Sequence, residues 1–191
     1  LADATDQFNP SAKEVLHYQD ALAVGFKAIQ SNRPISTSLF VDIASAIKKT
    51  DMQIRKLPGT KIETTAHEVI YTPPQGEQVI RKKLFELEQF INQERDIDPL
   101  IKLALIHYQF EAIHPFTDGN GRTGRIINIL YLMQEMLLKL PILYLSKYLI
   151  EHKNDYYSGL RAVTESAEWE VWVLFMLDAL EETARATAKK I

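Results

Sequence analysis

The chain has 191 residues, of which 46% are hydrophobic and 25% charged, with a formal net charge of −3. This is the composition of one globular domain with a sizeable core, and without a dense Lys or Arg run nothing in it suggests nucleic-acid or membrane attraction as the main business of the surface. Cysteine is absent, which removes disulfides, thiolate metal sites and a cysteine nucleophile, and fits a reducing, cytoplasmic setting.

Residues 1–11 read as an irregular lead-in, and residues 12–188 as a single, mostly helical domain without repeats. Ser11-Ala12-Lys13-Glu14 has capping-box spacing, which predicts a helix from Ala12 to Gln30. Arg33-Pro34 breaks the chain before a helix over Ser38 to Lys48, with Leu39, Phe40, Ile43 and Ile47 on its apolar face. A segment of different character follows, about 57–74. Leu57-Pro58-Gly59-Thr60 signals a turn, and β-favouring stretches at Lys61 to Thr64 and Glu68 to Thr72 predict a small hairpin that ends at Pro73-Pro74.

A helix over Glu77 to Asn92 comes next. Asp98-Pro99 is an N-cap followed by proline at the first helical position, and the apolar run from Leu100 to Ile113 predicts a helix buried on most sides. After a break at His114 to Gly119, a second apolar helix is expected from Asn120 to Leu138. Helices near 143–152, 154–165 and 169–188 complete the chain. No apolar run approaches the roughly 20 residues needed to span a bilayer.

The chemistry concentrates in residues 114–125, His114-Pro115-Phe116-Thr117-Asp118-Gly119-Asn120-Gly121-Arg122-Thr123-Gly124-Arg125. A helix N-terminus presents unpaired N–H groups and partial positive charge, and so favours phosphate. Gly119 and Gly121 let the backbone approach a ligand, and with Asn120 they can form a nest of N–H donors. Arg122 and Arg125, three residues apart in the first turn, can address one anion. Asp118 is a lone carboxylate beside that anion, which suits Mg²⁺. His114 can accept a proton near neutral pH.

This stretch resembles the signature of the Fic family, His-Pro-Phe-x-Asp/Glu-Gly-Asn-Gly-Arg-x-x-Arg, at every fixed position. The resemblance extends in helix order over roughly residues 12 to 185. It implies an all-α Fic fold with a β-hairpin flap, and transfer of AMP from ATP to a Ser, Thr or Tyr hydroxyl of a target protein. On that resemblance His114 is the base, Asp118 holds Mg²⁺, and Gly119, Asn120 and Gly121 form the anion hole. Arg122 and Arg125 bind the outer phosphates, and Phe116 is a core anchor. Gly121 favours the AMP-transferring members over those that use other nucleotides. The hairpin resembles the flap that aligns a target segment by strand addition. Tyr156-Tyr157 resembles an aromatic pair near the adenine, with Thr164 where an asparagine often follows. A homodimer is compatible with the family.

Many Fic proteins carry an inhibitory helix, Ser/Thr-x-x-x-Glu-Gly/Asn. Thr64…Glu68 and Thr164…Glu168 are followed by Val69 and Trp169, so neither matches. With Leu1 at the start, the expectation is that such a helix lies upstream. Alternative readings are another nucleotide as donor, AMP removal by the full-length protein, or a catalytically silent nucleotide-binding scaffold.

Two other patterns have simpler explanations. Gly119-x-Gly121-x-x-Gly124 satisfies a dinucleotide fingerprint, but a helix and a His-Pro turn precede it where a strand is required. His107, Glu111 and His114 share a helix face and suggest a transition-metal site. That reading leaves the glycine–arginine stretch unexplained; His107 is better read as a packed core histidine and Glu111 as an orienting group.

Overall fold

A computed structural model describes residues 10–63 and 69–190. Eight helices lie within these residues: α1 (Pro10–Gln30), α2 (Thr37–Lys48), α3 (Glu77–Gln93), α4 (Pro99–Ile113), α5 (Asn120–Gln134), α6 (Leu145–Glu151), α7 (Lys153–Ser166) and α8 (Trp169–Ala188). The described residues are mostly helical, as the periodicity predicted, and match the all-α architecture that the resemblance implied. The expected lead-in lies mostly outside the described residues.

Local chemistry sets most of the boundaries. The Ser36 hydroxyl accepts the Leu39 N–H and starts α2, and Lys49 ends it in the left-handed region at φ 53°. Asp98 caps α4 by accepting the N–H groups of Leu100 and Ile101, with Pro99 in the first turn. Two boundary differences have a visible local cause. Helix α1 already includes Pro10, so Ser11 lies inside the helix and not at its cap. Helix α5 stops at Gln134, four residues early, because Met136 turns left-handed at φ 59° and the Leu137 and Leu138 amides fold back onto the Leu132 carbonyl.

The α4–α5 pair forms the centre. Helix α1 packs on α2 and α5, α2 also packs on α5, and α8 packs on α4. Leu103, Ile106, Phe110 and Ile113 of α4 and Ile126 and Leu130 of α5 are fully buried, and each such side chain stabilises the fold by about 1.5–3 kcal/mol. Lys102 is buried among them; its ammonium donates to the carbonyls of Ile91 and Glu94 and so ties α4 to the end of α3. The Trp172 indole donates to the Ala104 carbonyl at 2.8 Å and fixes α8 to α4.

Two short strands, β1 (Ile62–Glu63) and β2 (Val69–Tyr71), pair antiparallel with Ile62 opposite Tyr71 and Glu63 opposite Val69. The turn expected between them lies outside the described residues, as do Thr64 and Glu68. The hairpin flap expected over 57–74 is therefore not seen as a whole. Among the described residues, no helix is long and apolar enough to cross a membrane.

Candidate active site

The break between α4 and α5 is held by the protein's own contacts. His114 caps α4 with φ 48°, and its N–H still bonds the Phe110 carbonyl at 3.0 Å. A left-handed non-glycine residue costs about 1–2 kcal/mol, so its surroundings must hold it. Phe116 is fully buried and packs its ring 6.5 Å from that of Phe110. The Asn120 side chain closes the loop from the other end, accepting the Phe116 N–H at 2.9 Å and donating to the Phe116 carbonyl at 2.8 Å. Asn120 thus braces the loop with its side chain, leaving only its backbone for an anion. Gly119 precedes α5 with φ 82°, a conformation glycine adopts freely.

Arg55 completes the brace. It is 4% exposed. Its Nε donates to the His114 carbonyl at 2.7 Å and one terminal nitrogen to the Pro74 carbonyl at 2.5 Å. That same nitrogen reaches the Ile113 carbonyl at 3.3 Å, and the Arg55 amide donates to the Pro115 carbonyl at 2.9 Å. One guanidinium therefore links the left-handed histidine to the end of the β2 segment.

His114 is held neutral. Burial is the main cause, lowering its pKa to about 4; the Glu111 backbone opposes the shift and the nearby Arg55 charge adds to it. An unprotonated imidazole across the neutral range is a base in the form needed to accept a proton. Its Nδ1 is buried without a well-formed hydrogen bond.

Charged groups surround the N-terminus of α5. Lys48, at the end of α2, forms an ion pair with Asp118 and is the largest cause holding that carboxyl below the usual range. Arg122 lies 3.6 Å from the other Asp118 oxygen and 2.7 Å from Glu14 of α1. Asp118 is thus an ionised, 58% exposed carboxylate next to the helix N-terminus. A lone carboxylate of this kind fits Mg²⁺, which takes one or two carboxylates and completes its shell with phosphate oxygens and water. Among the described residues no cluster of three His, Asp or Glu side chains could hold a metal ion by itself.

Arg125 points elsewhere. It lines a cavity together with His114, Gly121, Glu111, Tyr71 and Tyr157. Its Nε is buried with no partner. Beneath it lies Glu111, whose carboxyl is pushed up to about 7 by burial, against the opposing charge of Arg125. The packing is tight: a Cβ on Gly124 would sit 2.7 Å from Glu111 Oε1, and one on Gly121 would sit 3.3 Å from an Arg125 terminal nitrogen.

His107 is a core histidine. Asn128 Nδ2 lies 3.0 Å from its Nδ1, and its Nε2 lies 3.0 Å from the Tyr156 hydroxyl. Its pKa falls to about 3, chiefly through burial. Both ring nitrogens of His107 meet protein partners, and among the described residues His107, Glu111 and His114 do not form a group that could hold a metal ion. Tyr156 is engaged by His107, while Tyr157 lines the cavity beside Leu160 and Thr164.

The structure gathers His114, Gly121, Arg125, Tyr156 and Tyr157 around one cavity and sets Asp118 and Arg122 in a charged cluster at the same helix end. The two arginines do not converge on one point, since Arg122 is drawn to Glu14. Sequence reasoning missed Glu14, Lys48 and Arg55, because each reaches the site from a distant segment and no local motif marks it. An arginine in the Met52–Ile54 apolar neighbourhood was the one available signal for Arg55.

Comparison with known proteins agrees with this architecture. The Fic/DOC family pattern matches residues 34–132. Protein adenylyltransferase fic-1 of Caenorhabditis elegans is 32% identical over 104 residues, covering 52% of this chain and 19% of the relative. A probable protein adenylyltransferase of Aquifex aeolicus is 33% identical over 97 residues, covering 51% and 28%. The chain thus spans less than a third of these relatives' lengths. A Fic family protein from Desulfovibrio desulfuricans superposes with a TM-score of 0.76 at 23% identity, over 98% of this chain and 56% of the other. Fic-1 from C. elegans superposes at 0.72 with 21% identity, over 100% and 54%. A family pattern that covers half the sequence, on a fold shared along its whole length, makes this chain a member of the Fic/DOC family.

Proposed function

We propose that this chain binds Mg-ATP and transfers AMP to a hydroxyl of a target protein, releasing diphosphate. The observation that carries the reading is a half-buried His114, its pKa lowered to about 4 chiefly by burial, fixed beside the N-terminus of α5 in one cavity with Gly121 and Arg125. The names of the relatives, protein adenylyltransferases, support the same reaction class.

In this reading the first-turn N–H groups around Gly119, Asn120 and Gly121 receive the α-phosphate region, and Arg122 and Arg125 take the outer phosphates. His114 removes the proton from the incoming Ser, Thr or Tyr hydroxyl. The hydroxyl oxygen forms a bond to the α-phosphorus, and the bond from that phosphorus to the bridging oxygen breaks. Diphosphate departs, and the histidine later returns its proton to solvent. Asp118 would hold Mg²⁺, which supplies charge neutralisation for the phosphates. Tyr157 borders the space left for the base. Tyr71 of β2 lines the cavity, so the strand pair lies where an incoming target segment could add as a further strand.

Incubation with Mg²⁺, a soluble lysate and ATP labelled at the α-phosphate tests the reaction. Label on protein from the α-position and none from the γ-position is expected. Protein label from the γ-position would make the reaction phosphorylation. Nucleotide binding without protein label would leave a binding scaffold, and label only from a different nucleotide would change the donor.

A further inference from the structure

Helix α4 buries a carboxyl group against the first turn of α5. Glu111 lies three residues before His114 and is only 8% exposed. Its Oε1 stands 2.7 Å from the place of a Cβ on Gly124 and 3.9 Å from that of a Cβ on Gly121. These two positions share a face of α5, and Arg125 follows Gly121 by one turn on the same face. Without side chains at 121 and 124, the carboxyl comes this close to the helix.

Glu111 Oε1 and Arg125 Nε are both buried with no hydrogen-bond partner. A terminal nitrogen of Arg125 lies 3.3 Å from the Gly121 Cβ position, so guanidinium and carboxyl occupy neighbouring places on the α5 face. The other titratable groups around Glu111 are the hydroxyls of Tyr156 and Tyr157 from α7 and His107, one turn earlier on α4. Burial holds His107 neutral and raises both tyrosines above their ordinary range. Arg125 is thus the charge that favours an ionised Glu111, while burial opposes ionisation and pushes the carboxyl up to about 7. An anion on Arg125 offsets that favourable charge and adds its own repulsion.

We propose that Glu111 is a positioning residue for Arg125, carrying the charge opposite it in the free chain and taking a proton from solvent as the nucleotide's outer phosphates settle on the guanidinium. One O–H bond forms on the carboxylate, and the proton comes from the buffer. This rests on the nucleotide-donor reading and adds to it a proton that accompanies binding. Since binding takes up a proton, affinity falls as pH rises through the carboxyl's range near 7.

Calorimetric titration of the whole chain with Mg-ATP at about pH 8, in two buffers of different protonation enthalpy, counts the proton. His107 and His114, at about 3 and about 4, stay neutral there and the two tyrosines stay protonated, so none of them adds to the count. Uptake of about half a proton or more per bound ATP is expected, with affinity falling at least about five-fold from about pH 6.5 to about pH 8.5. Glu111→Gln, similar in shape and unable to ionise, should bind ATP without uptake and with affinity changing less than about two-fold over that range. Glu111→Met makes the same measurement should the Gln variant fail to fold. ATP binding without proton uptake in the wild type, or equal uptake in wild type and neutral variant, overturns this role for Glu111 and leaves the nucleotide reading in place. No ATP binding at any pH in the range overturns both.

Discussion

The Glu14 carboxylate of α1 lies 2.7 Å from the Arg122 guanidinium of α5, across 108 positions of chain. Arg122 is one of the two groups proposed to bind the donor's outer phosphates, so the first helix holds a counter-charge where phosphate is expected. The pair is not deeply buried: Glu14 is 66% exposed. It therefore competes with a ligand without blocking it, and the worth of such a pair is about 0.2–1 kcal/mol. Glu14→Ala should tighten ATP binding by up to about five-fold, with the larger effect at low salt. Titration calorimetry at two ionic strengths checks this; weaker binding in the variant would mean that Glu14 positions Arg122 for the ligand.

Arg55 makes a different kind of contact. Its truncation leaves the carbonyls of Pro74, Ile113 and His114 without their donor. Arg55→Ala should lower stability by about 2–4 kcal/mol, read as a shift of the urea midpoint. Arg55→Lys keeps the charge but cannot serve the same spread of carbonyls, and should recover less than half of the loss. Both variants should reduce transfer more than nucleotide binding, since the clamp acts on His114.

A methyl group at position 124 tests the packing under α5. The added Cβ would meet Glu111 Oε1 at 2.7 Å and Phe110 Cδ1 at 3.2 Å. Gly124→Ala should destabilise by about 1–3 kcal/mol despite the better helix propensity of alanine. Denaturant unfolding gives the sign; a stabilised variant would show that the carboxyl and ring yield easily.

Three groups near the site, His107 and Glu111 buried and His114 half-buried, give stability a definite pH slope. His107 and His114 have pKa values depressed to about 3 and about 4, so their neutral forms belong to the fold, and their contribution is lost as pH falls below the unfolded value of about 6.5. Glu111, raised to about 7, works in the opposite direction: its contribution is complete below the unfolded carboxyl range and is lost as pH rises towards 7. Near pH 5.5 the unfolded chain binds roughly two protons on the histidines and the folded chain roughly one on Glu111. The net slope from these groups is about 1.4 kcal/mol per pH unit, with stability rising as pH rises. Glu111→Gln should roughly double that slope. Unfolding curves between pH 5 and 6 measure it, and an unchanged slope would mean that Glu111 is ionised in the fold.

The parts of this site that the sequence displayed are those made by neighbours in the chain. Asp98-Pro99 announced the start of α4, and the residues from His114 to Arg125 carried their own spacing, because a helix N-terminus is a local object. The Asn120 side chain had a local partner too, the Phe116 backbone, but no spacing in the sequence marks that brace. Glu14, Lys48 and Arg55 were silent for another reason. Each enters the site from a different helix or loop, and only tertiary packing brings them to Arg122, Asp118 and His114. The end of α5 was misplaced because Gln134 to Leu138 keeps helical composition; the left-handed turn at Met136 is set by packing and has no glycine to mark it.

The central claim is that His114 serves the chemistry and not the binding of the nucleotide. Asparagine is the substitution of choice, because at φ 48° it tolerates the left-handed backbone better than alanine does. The measurement is ATP affinity and transfer of α-phosphate label for wild type and His114→Asn side by side. Affinity unchanged within about two-fold, with transfer lowered by at least about 10²-fold, is the predicted result. Transfer that persists in the variant, or affinity and transfer lost together, would contradict the role assigned to His114.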